Sequence, residues 1–427
     1  MKRKYTKYYN LCLEGIAVLF IINFAACTKE KNTTPVLNAI IPQKALPNSV
    51  VTITGQHFST QIDENAVLFN GVVAVVDAAS DTALVVTVPE NATTGKVRIT
   101  TKGIVLTISS DFTVTSGLAT EFAAQYLEHI GFDGSGNAYG DDGAKTVYKV
   151  SPQGVISSLA MIASAAPNAF NQLWGTTVDA AGNVYVTNST GFCINKINAL
   201  GVVSIFAGSG LAGYTDGPGD KAQFTSPLGL AIDMAGNLYV NDAHRVRKIT
   251  PAGVVSTLAG NGTDGSIDGP AASAEFGNIE GIATDAAGDI YVSDNKYLNV
   301  RRISTNGAVT TLAGSGTAGM NDGSAKVAQF YYPQALAVDN AGNVFVSDNN
   351  INGVGFWTVR MINRLGVVTT FIKGSGFLPL SYGSLNVATV NFPDGLGLDK
   401  SGNLYICNTL LSSGSAAVKS ITKVVIK

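Results

Sequence analysis

Hydrophobic and polar positions alternate in short runs along most of the chain, and glycine, proline, asparagine and aspartate separate the runs. Between residues 36 and 115 the clearest runs are 50–55, 66–71, 84–89 and 96–100. Alternation with a period of two predicts β-strands that bury one face. A segment of about 80 residues built from such strands suits a small β-sandwich.

After this segment one unit, D-x-x-G-[ND]-x-[YF]-[VIG], recurs six times. The glycine at the fourth position of the unit occurs at Gly136, Gly182, Gly236, Gly288, Gly342 and Gly402. Successive copies are therefore 46, 54, 52, 54 and 60 residues apart. This period is typical of four-stranded propeller blades. Each unit divides into strands A to D, with the aspartate opening the A-to-B turn. We expect that aspartate to bond turn N–H groups, and calcium binding is the less favoured alternative because each turn has one carboxylate.

The outer-strand pattern G-[VLIA]-x-[ST]-x-[FL]-[AI] occurs after only five of the six units. The missing copy lies upstream of the first unit, at residues 117–123, and the sequence ends after the sixth strand C, predicted at residues 418–423. We therefore expect residues 117–123 to complete the last blade and close a ring of six. Closure leaves only short protected sheet edges.

Two resemblances agree with this pattern. Residues 117–427, above all PLGLAIDMAGNLYVNDAHRVRKITPAGVVSTLAG (227–260), resemble NHL-repeat β-propellers. The segments IIPQKALPNSVVTITGQHF, VLFNG and VTVPENATTGKVRIT resemble the IPT/TIG immunoglobulin-like domain, with Pro47-Asn48-Ser49 in place of the usual glycine pair. The expected fold is all-β: an IPT/TIG sandwich at 36–115 followed by a six-bladed NHL-type β-propeller at 117–427.

The first 26 residues are expected to be a signal peptide. Four basic residues precede an apolar run at 15–22, and Phe24-Ala25-Ala26-Cys27 resembles a bacterial lipobox. The resemblance implies cleavage before Cys27, lipidation of its thiol and a lipidated tether at 27–35. A transmembrane helix is the alternative, but residues 11–26 are interrupted by Glu14 and fall short of the ~20 needed. The combination of a lipobox, an IPT/TIG domain and a propeller is similar to surface proteins of Bacteroidota-type bacteria. Thr28 follows the cysteine at the position where an aspartate would, by analogy with bacterial lipoproteins, favour retention in the inner membrane. Together these features favour the outer membrane and the cell surface.

The net charge of the chain limits the classes of partner that it is expected to bind. The net charge is −2, and removal of residues 1–26, with four basic residues and one acidic residue, leaves −5. Nucleic acid is therefore excluded as an expected partner, because phosphates require a basic surface. Cys193 and Cys407 show no metal-binding or redox spacing, so we expect buried thiols and no cofactor.

The candidate site lies where strands A begin, near one mouth of the central channel. The position five residues before each turn aspartate holds Glu128, Trp174, Leu228, Glu280, Gln334 and Asp394. Such a set could bind a sugar or a cation, and a solvated rim is the alternative. Tyr297, Phe356 and Trp357 lie in B-to-C loops on the same face, where exposed aromatics would stack on sugar rings; core packing is the alternative for Trp357.

The same face carries long D-to-A loops at 208–226, 260–278, 314–332 and 373–391. Such loops often bind ligands. Three of them contain a G-x-x-D-G element, with Asp216, Asp268 and Asp322, which we expect to shape turns.

These features predict a non-catalytic binding module that captures a glycan or a partner protein. An outer-membrane transporter or another envelope protein is an expected partner. A protein-docking scaffold is the first alternative. An enzyme is less favoured: His57, His129 and His244 have no metal-ligand spacing, and no serine lies in G-x-S-x-G context. Six-bladed lactonases that resemble senescence marker proteins hold a divalent ion with scattered acids, so a metal-dependent hydrolase remains an alternative.

Overall fold

The computed structural model describes residues 34–125, 127–161, 172–349, 357–374, 380–385, 387–409 and 419–426. The signal, the lipobox and Cys27 therefore lie outside the described residues, as does Phe356. The described residues form two all-β units, and the predicted fold class is confirmed. Within these ranges no helix has the length and apolar character needed to span a membrane.

The first unit is a seven-stranded sheet folded around an apolar core, with a short parallel pair beside it. Its strands are β1 (Val36–Ile41), β2 (Lys44–Ala45), β3 (Val50–Gln56), β4 (Asn65–Phe69), β5 (Val72–Ala79), β6 (Ala83–Thr87), β7 (Val97–Thr101), β8 (Ile104–Thr107) and β9 (Thr113–Val114). A 3-10 turn spans Ile62–Glu64. The sheet order is β1-β3-β6-β5-β4-β7-β8. Alternate residues of β4, β6 and β7 are buried, as the period of two predicts.

The second unit contains the remaining strands, beginning with β10 (Gly117–Ala123). Blade 1 is β11 (His129–Phe132), β12 (Ala138–Asp141), β13 (Thr146–Val150) and β14 (Ile156–Met161); blade 2 is β15 (Leu173–Val178), β16 (Val184–Asn188), β17 (Cys193–Ile197) and β18 (Val203–Ala207). Blade 3 is β19 (Pro227–Ile232), β20 (Leu238–Asp242), β21 (Arg245–Ile249) and β22 (Val255–Ala259). Blade 4 follows the short β23 (Gly269–Pro270) and is β24 (Ile279–Thr284), β25 (Ile290–Asp294), β26 (Asn299–Ile303) and β27 (Ala308–Ala313).

Blade 5 is β28 (Pro333–Val338), β29 (Val344–Asn349), β30 (Trp357–Ile362) and β31 (Val368–Gly374), and the short strands β32 (Gly383–Ser384) and β33 (Thr389–Val390) follow. Blade 6 is β34 (Pro393–Leu398), β35 (Leu404–Thr409), β36 (Lys419–Ile426) and β10. The closing pair is antiparallel, with Gly117 opposite Ile426 and Ala123 opposite Ile421. The predicted closure of the ring by residues 117–123 is present, although strand C of blade 6 reaches Ile426, beyond the predicted end at residue 423.

The aspartate of each repeat organises the A-to-B turn. In blade 3, Asp233 Oδ1 accepts the N–H groups of Ala235 at 2.9 Å and Asn237 at 2.8 Å. Its Oδ2 accepts the Asn237 side-chain amide at 2.8 Å and the Tyr239 hydroxyl at 2.9 Å. Gly236 completes the turn at φ +81°, which favours glycine. The repeated letters are thus a turn signature, as expected.

The first unit docks on the turns of blade 5 through the loop between β2 and β3. Asn48 has φ 66°, so asparagine adopts the conformation that glycine usually supplies at this point. Its carbonyl oxygen accepts the Asn363 amide at 3.1 Å, and Ser49 Oγ accepts the Asn343 amide at 3.3 Å. Leu46 is buried in a propeller core cluster. The turn face of the ring is therefore the face that contacts the first unit.

Candidate functional site

Six side chains surround the long-loop mouth of the central channel, where the A strands begin. We call this ring the collar: Glu128, Trp174, Leu228, Glu280, Gln334 and Asp394. Trp174, Glu280 and Gln334 line a cavity of about 220 Å³ that continues into the channel. Below the collar the wall is largely apolar, with Ile130, Leu230, Ile282, Leu336 and Leu396. The cavity therefore combines a polar entrance with an aliphatic floor, a combination common in ligand sites.

Close backbone contact between neighbouring A strands fixes the collar. The residue after the collar position is glycine in four blades, at Gly175, Gly229, Gly281 and Gly395. A Cβ added at Gly229 would lie 2.1 Å from the Glu280 carbonyl oxygen, and one at Gly281 would lie 2.0 Å from that of Gln334. Since no side chain fits at these four glycines, four collar residues are held against the preceding blade: Leu228, Glu280, Gln334 and Glu128.

Blade 1 departs from this rule because it carries His129 where the other blades carry glycine or Ala335. The imidazole lines the cavity, with its ring centroid 6.4 Å from that of Trp174. Its Nδ1 lies 3.6 Å from Asp141 Oδ2. Burial acts to lower the pKa of His129, but Asp141, Glu128 and Asp394 outweigh it and leave the pKa above its usual value.

Asp141 also differs from the residues at the matching position in the other blades, which is the fourth position of strand B. The other blades place Thr187, Asn241, Ser293, Ser347 and Cys407 at the matching position of strand B. Three of these donate to the carbonyl of the next collar residue, as Thr187 Oγ1 does to Leu228 at 2.7 Å. Asp141 is fully buried and accepts the Thr176 hydroxyl at 2.6 Å and the Gly143 N–H at 3.0 Å. Sequence analysis missed this histidine–aspartate pair, although the break in both registers is visible in the sequence.

Three collar side chains are held by polar partners. Glu280 Oε1 accepts the Tyr332 hydroxyl at 2.7 Å, and Gln334 Oε1 accepts the Asn349 amide at 2.9 Å. Asp394 Oδ2 accepts the Thr409 hydroxyl at 2.7 Å. These bonds fix the side chains before any ligand arrives, and sequence analysis did not identify their donors.

Two collar carboxyls, those of Glu128 and Glu280, have raised pKa values. Burial raises the pKa of Glu128 to about 7; His129 acts to lower it, while Asp141, Asp394 and Asp142 add to the rise. Burial also raises the pKa of Glu280, against the lowering effect of its bond from Tyr332. Raised pKa values in a cleft indicate a candidate functional site.

The predicted aromatic residues lie in different environments. Trp174 is half-buried at the mouth, and Tyr297 is half-buried over Gly277 with its hydroxyl 3.4 Å from Asp264 Oδ1. The expectation that Trp357 is exposed is wrong, because its indole is only 2% exposed. Blade 5 extends its B–C ladder to an Asn349–Trp357 pair, and the indole packs edge-on against Phe392 at 5.8 Å.

The long loops that enter blades 3, 4 and 5 are fastened to their own blades. Asp216 accepts Arg247 Nη2 at 2.6 Å and the Thr257 N–H at 2.9 Å. Arg247 is fully buried, with its guanidinium 5.3 Å from the centre of the Phe224 ring. The same arrangement recurs as Asp268–Arg301–Phe276 and Asp322–Arg360–Phe330. The G-x-x-D-G elements are therefore structural, as expected, and these loops are not free binding loops.

No metal-ligand set is present in the described part of the chain: no three side chains among His, Cys, Asp and Glu there converge as ligands. Cys193 and Cys407 are buried free thiols. The lactonase-like alternative thus has no ligand set among the described residues.

Comparison with known proteins identifies the first unit. Residues 35–116 match the family model of the IPT/TIG domain. The first unit is an IPT/TIG domain. Two curated proteins share sequence with this chain: Protein SUPPRESSOR OF QUENCHING 1, chloroplastic, of Arabidopsis thaliana (25% identical over 189 residues, 41% of this chain and 18% of that protein) and Teneurin-3 of Mus musculus (29% over 177 residues, 37% and 6%). The chain therefore covers less than a fifth of either relative.

Solved structures resemble the whole arrangement of IPT/TIG domain and propeller. A protein of unknown function from Bacteroides thetaiotaomicron superposes with a TM-score of 0.55 at 16% identity, covering 93% of this chain and 99% of that one. An auxiliary nutrient binding protein from Bacteroides ovatus gives 0.53 at 15% identity, with 92% and 98% covered. At this identity the likeness shows a shared fold.

Proposed function

We propose that this protein is a non-catalytic binding protein of the cell envelope that captures a glycan at the collar. The observation that carries the proposal is the set of fixed polar side chains beside Trp174 at a mouth with an aliphatic floor. Carboxylates and amides bond sugar hydroxyls, while an indole can pack against the C–H face of a sugar ring. The fold shared with auxiliary nutrient binding proteins of Bacteroides supports a binding role.

The docking of the two units leaves the proposed site uncovered. The IPT/TIG domain contacts Asn343 in the A-to-B turn of blade 5 and Asn363 in its C-to-D turn. Strand A runs from the collar to the A-to-B turn, so the collar lies at the opposite end of the channel. An IPT/TIG spacer on the turn face would therefore leave the mouth accessible to a large glycan or to an envelope partner.

The location belongs to the same proposal. Cleavage before Cys27 and lipidation of its thiol would anchor the chain in the outer membrane, where an outer-membrane transporter is the proposed partner. Several acyl chains on one residue are enough for stable anchoring. In cells that express the full chain, Cys27→Ser should move the protein from the membrane fraction to the soluble fraction. Unchanged membrane association of that variant would contradict the anchor.

Calorimetric titration of residues 28–427 with polysaccharides tests the binding role. Saturable heat with at least one glycan is expected, and Trp174→Ala should abolish it. Tyr214→Ala is the matched control, because Tyr214 is an exposed aromatic on the loop that enters blade 3. Loss of binding in the control alone would place the ligand on the loops. Absence of heat with every glycan would contradict the proposal and favour the protein-docking scaffold, to be sought by crosslinking in isolated envelopes.

A further inference from the structure

Gln334 offers the cavity at the collar a pair of hydrogen-bond donors. Asn349 is fully buried, and its side-chain nitrogen donates to the Pro393 carbonyl oxygen at 3.1 Å and to Gln334 Oε1 at 2.9 Å. Because a carbonyl oxygen can only accept, the bond to Pro393 fixes which end of the Asn349 amide is the nitrogen. Gln334 must then turn its own oxygen towards Asn349. Its Nε2 has no acceptor among the described residues and is not buried, so it can bond a ligand.

The collar carboxyls of blades 4 and 6 already have partners. Glu280 Oε1 accepts the Tyr332 hydroxyl at 2.7 Å, and Asn295 is a second hydrogen-bond partner of the same carboxyl. Asp394 Oδ2 accepts the Thr409 hydroxyl at 2.7 Å. A ligand that brings only donors would therefore compete with bonds that exist in the free protein, whereas a ligand that brings an acceptor can use the Gln334 amide without breaking any of them.

Negative charge near the mouth disfavours an anionic ligand. His129 lines the cavity; burial acts to lower its pKa, but Asp141, Glu128 and Asp394 raise it, which shows that the charge of these carboxyls reaches the cavity. A carboxylate or sulfate on a ligand would be repelled by the same charge. The group that suits the Gln334 amide is therefore an uncharged acceptor, such as a carbonyl oxygen.

Directly below the collar the channel wall is a ring of aliphatic side chains. Alternate residues of a strand face the same side, so the residue two positions after each collar residue lies one step deeper in the channel. These positions line the cavity and hold Ile130, Thr176, Leu230, Ile282, Leu336 and Leu396. The five aliphatic residues are between 5% and 7% exposed, and the Thr176 hydroxyl donates to Asp141 at 2.6 Å. Water in this ring meets few polar partners, so an apolar group would displace it favourably.

The size of the cavity limits what can enter it. Its volume is about 220 Å³, whereas sites that enclose a whole small ligand usually measure about 300–1,000 Å³. The channel therefore suits one substituent of a glycan, while the sugar ring stays at the mouth. Trp174 is half-buried on the same wall and gives that ring a surface to pack against.

We propose that the collar selects sugars that carry an acetamido group, whose carbonyl oxygen accepts an N–H of Gln334 Nε2 and whose methyl group packs on the aliphatic ring below. This inference rests on the proposed glycan-binding function and names the ligand class of the same site. An acetamido group is uncharged, joins an acceptor to a methyl group and is small enough for the cavity. A hydroxyl at the same position of a sugar could meet Gln334 but would leave the aliphatic ring unfilled.

The test is a calorimetric titration of residues 28–427 with three uncharged oligomers of the same length and linkage, built from N-acetylglucosamine, N-formylglucosamine or glucose. The N-acetyl oligomer should bind at least about tenfold more tightly than the glucose oligomer, which lacks both the carbonyl and the methyl group. The N-formyl oligomer keeps the carbonyl and lacks the methyl group, so it should bind about fourfold more weakly than the N-acetyl oligomer.

Gln334→Glu removes the donors with little change of shape. The carboxylate still accepts the Asn349 amide, but at pH 8, well above the usual glutamate pKa of about 4.3, it has no N–H to donate. The preference for the N-acetyl over the glucose oligomer should fall to about fourfold or less, which is the share of the methyl group. Gln223→Glu is the matched control, because Gln223 is also half-buried and its Oε1 accepts the Thr215 hydroxyl at 2.9 Å on the loop that enters blade 3. It should keep the full preference.

The outcomes separate this inference from the function on which it rests. Equal affinity for the N-acetyl and glucose oligomers would overturn the acetamido selectivity while leaving glycan binding in place. A full preference in Gln334→Glu, or an equal loss in Gln223→Glu, would contradict the role of the Gln334 amide. Equal affinity for the N-formyl and N-acetyl oligomers would contradict the placement of the methyl group in the channel. Absence of binding to any glycan would remove the proposed function itself.

Discussion

Blades 3, 4 and 5 differ from blades 6, 1 and 2 at one position of strand C. The first three place a fully buried arginine there, and each arginine binds the aspartate of the loop that enters its own blade. The matching positions, defined by pairing with strand B, hold Tyr148, Asn195 and Thr422 in blades 1, 2 and 6. We call blades 3–5 the clamped half and the others the unclamped half.

The difference concerns how the long loops are anchored, because the collar draws on both halves, with Leu228, Glu280 and Gln334 from the clamped half and Glu128, Trp174 and Asp394 from the unclamped half. In the clamped half an arginine, an aspartate and a phenylalanine fix each long loop, so its length is used for structure. In the unclamped half Tyr382 lies beside Ser420 and Thr422, so the matching place in blade 6 is occupied by uncharged side chains. The same half holds Glu128 and His129, whose pKa values are affected by each other and by Asp141 and Asp394. A repeat fold can thus confine the buried charge pairs that anchor loops to one arc, while the other arc gathers titratable groups at the channel mouth.

Truncation of a clamp should have the largest effect. Arg247→Ala would leave buried Asp242 without the guanidinium that bonds it at 2.9 Å, and it would release Asp216. Breaking one partner of a buried pair costs about 3–5 kcal/mol. We expect the free energy of unfolding in urea to fall by that amount.

Thr422→Val at the same register of blade 6 is the matched control. It removes the hydroxyl that accepts the Asn408 amide at 2.9 Å and should cost about 1 kcal/mol. Equal losses in the two variants would mean that the clamps add no special stability and that the division into two halves has no energetic content.

The two tryptophans test the same division with apolar residues. Trp357 belongs to the clamped half and is buried against Phe392, so Trp357→Ala should lower the free energy of unfolding by about 3 kcal/mol. Trp174 belongs to the unclamped half and is half-exposed, so Trp174→Ala should cost about 1 kcal/mol or less. Thermal and urea unfolding of both variants would check the order, and the reverse order would contradict the assigned environments.

These cases show what the sequence could predict. The repeat spacing and the unpaired outer-strand pattern predicted six blades and their closure, because both are encoded by local periodicity. The count of five residues before each turn aspartate also placed the collar, since every A strand ends one residue before its turn aspartate. Burial of Trp357 was not predictable in this way, because it depends on an extra pair in the B–C ladder of blade 5, Asn349–Trp357, and on the contact of the indole with Phe392.

Other features depend on contacts between distant segments. Asp216 and Arg247 lie 31 residues apart and meet only because the entering loop folds back over its own blade. Asn343 lies 294 residues from Ser49, which it contacts. Long-range pairing of this kind has no local sequence signal. His129 and Asp141 differ from these pairs, because they are visible as breaks in two registers and lie directly opposite each other in the A–B hairpin of blade 1.

The histidine of the unclamped half should make stability depend on pH. The pKa of His129 is raised in the folded state, chiefly by Asp141 acting against burial. A raised folded-state pKa contributes stability that is present below the unfolded value of about 6.5 and is lost as the pH rises through the folded value. His129→Gln should therefore lower the free energy of unfolding by about 1.5 kcal/mol at pH 6 and by less at pH 9. A loss of equal size at both pH values would show that the imidazole acts by packing alone.

The clamped half also carries the IPT/TIG domain, and the smallest predicted effect concerns that contact. Asn48 adopts φ 66° while its carbonyl oxygen accepts the Asn363 amide, so docking uses its backbone and not its side chain. Asn48→Gly should therefore change the free energy of unfolding by no more than about 0.5 kcal/mol, whereas Asn48→Ala should cost about 1 kcal/mol because alanine resists this conformation. Urea unfolding of the two variants side by side separates the contribution of the backbone conformation to the free energy of unfolding from that of the asparagine side chain. If glycine proved as costly as alanine, the asparagine side chain would have to contribute to the joint, and the turn could not be described as a simple replacement for a glycine pair.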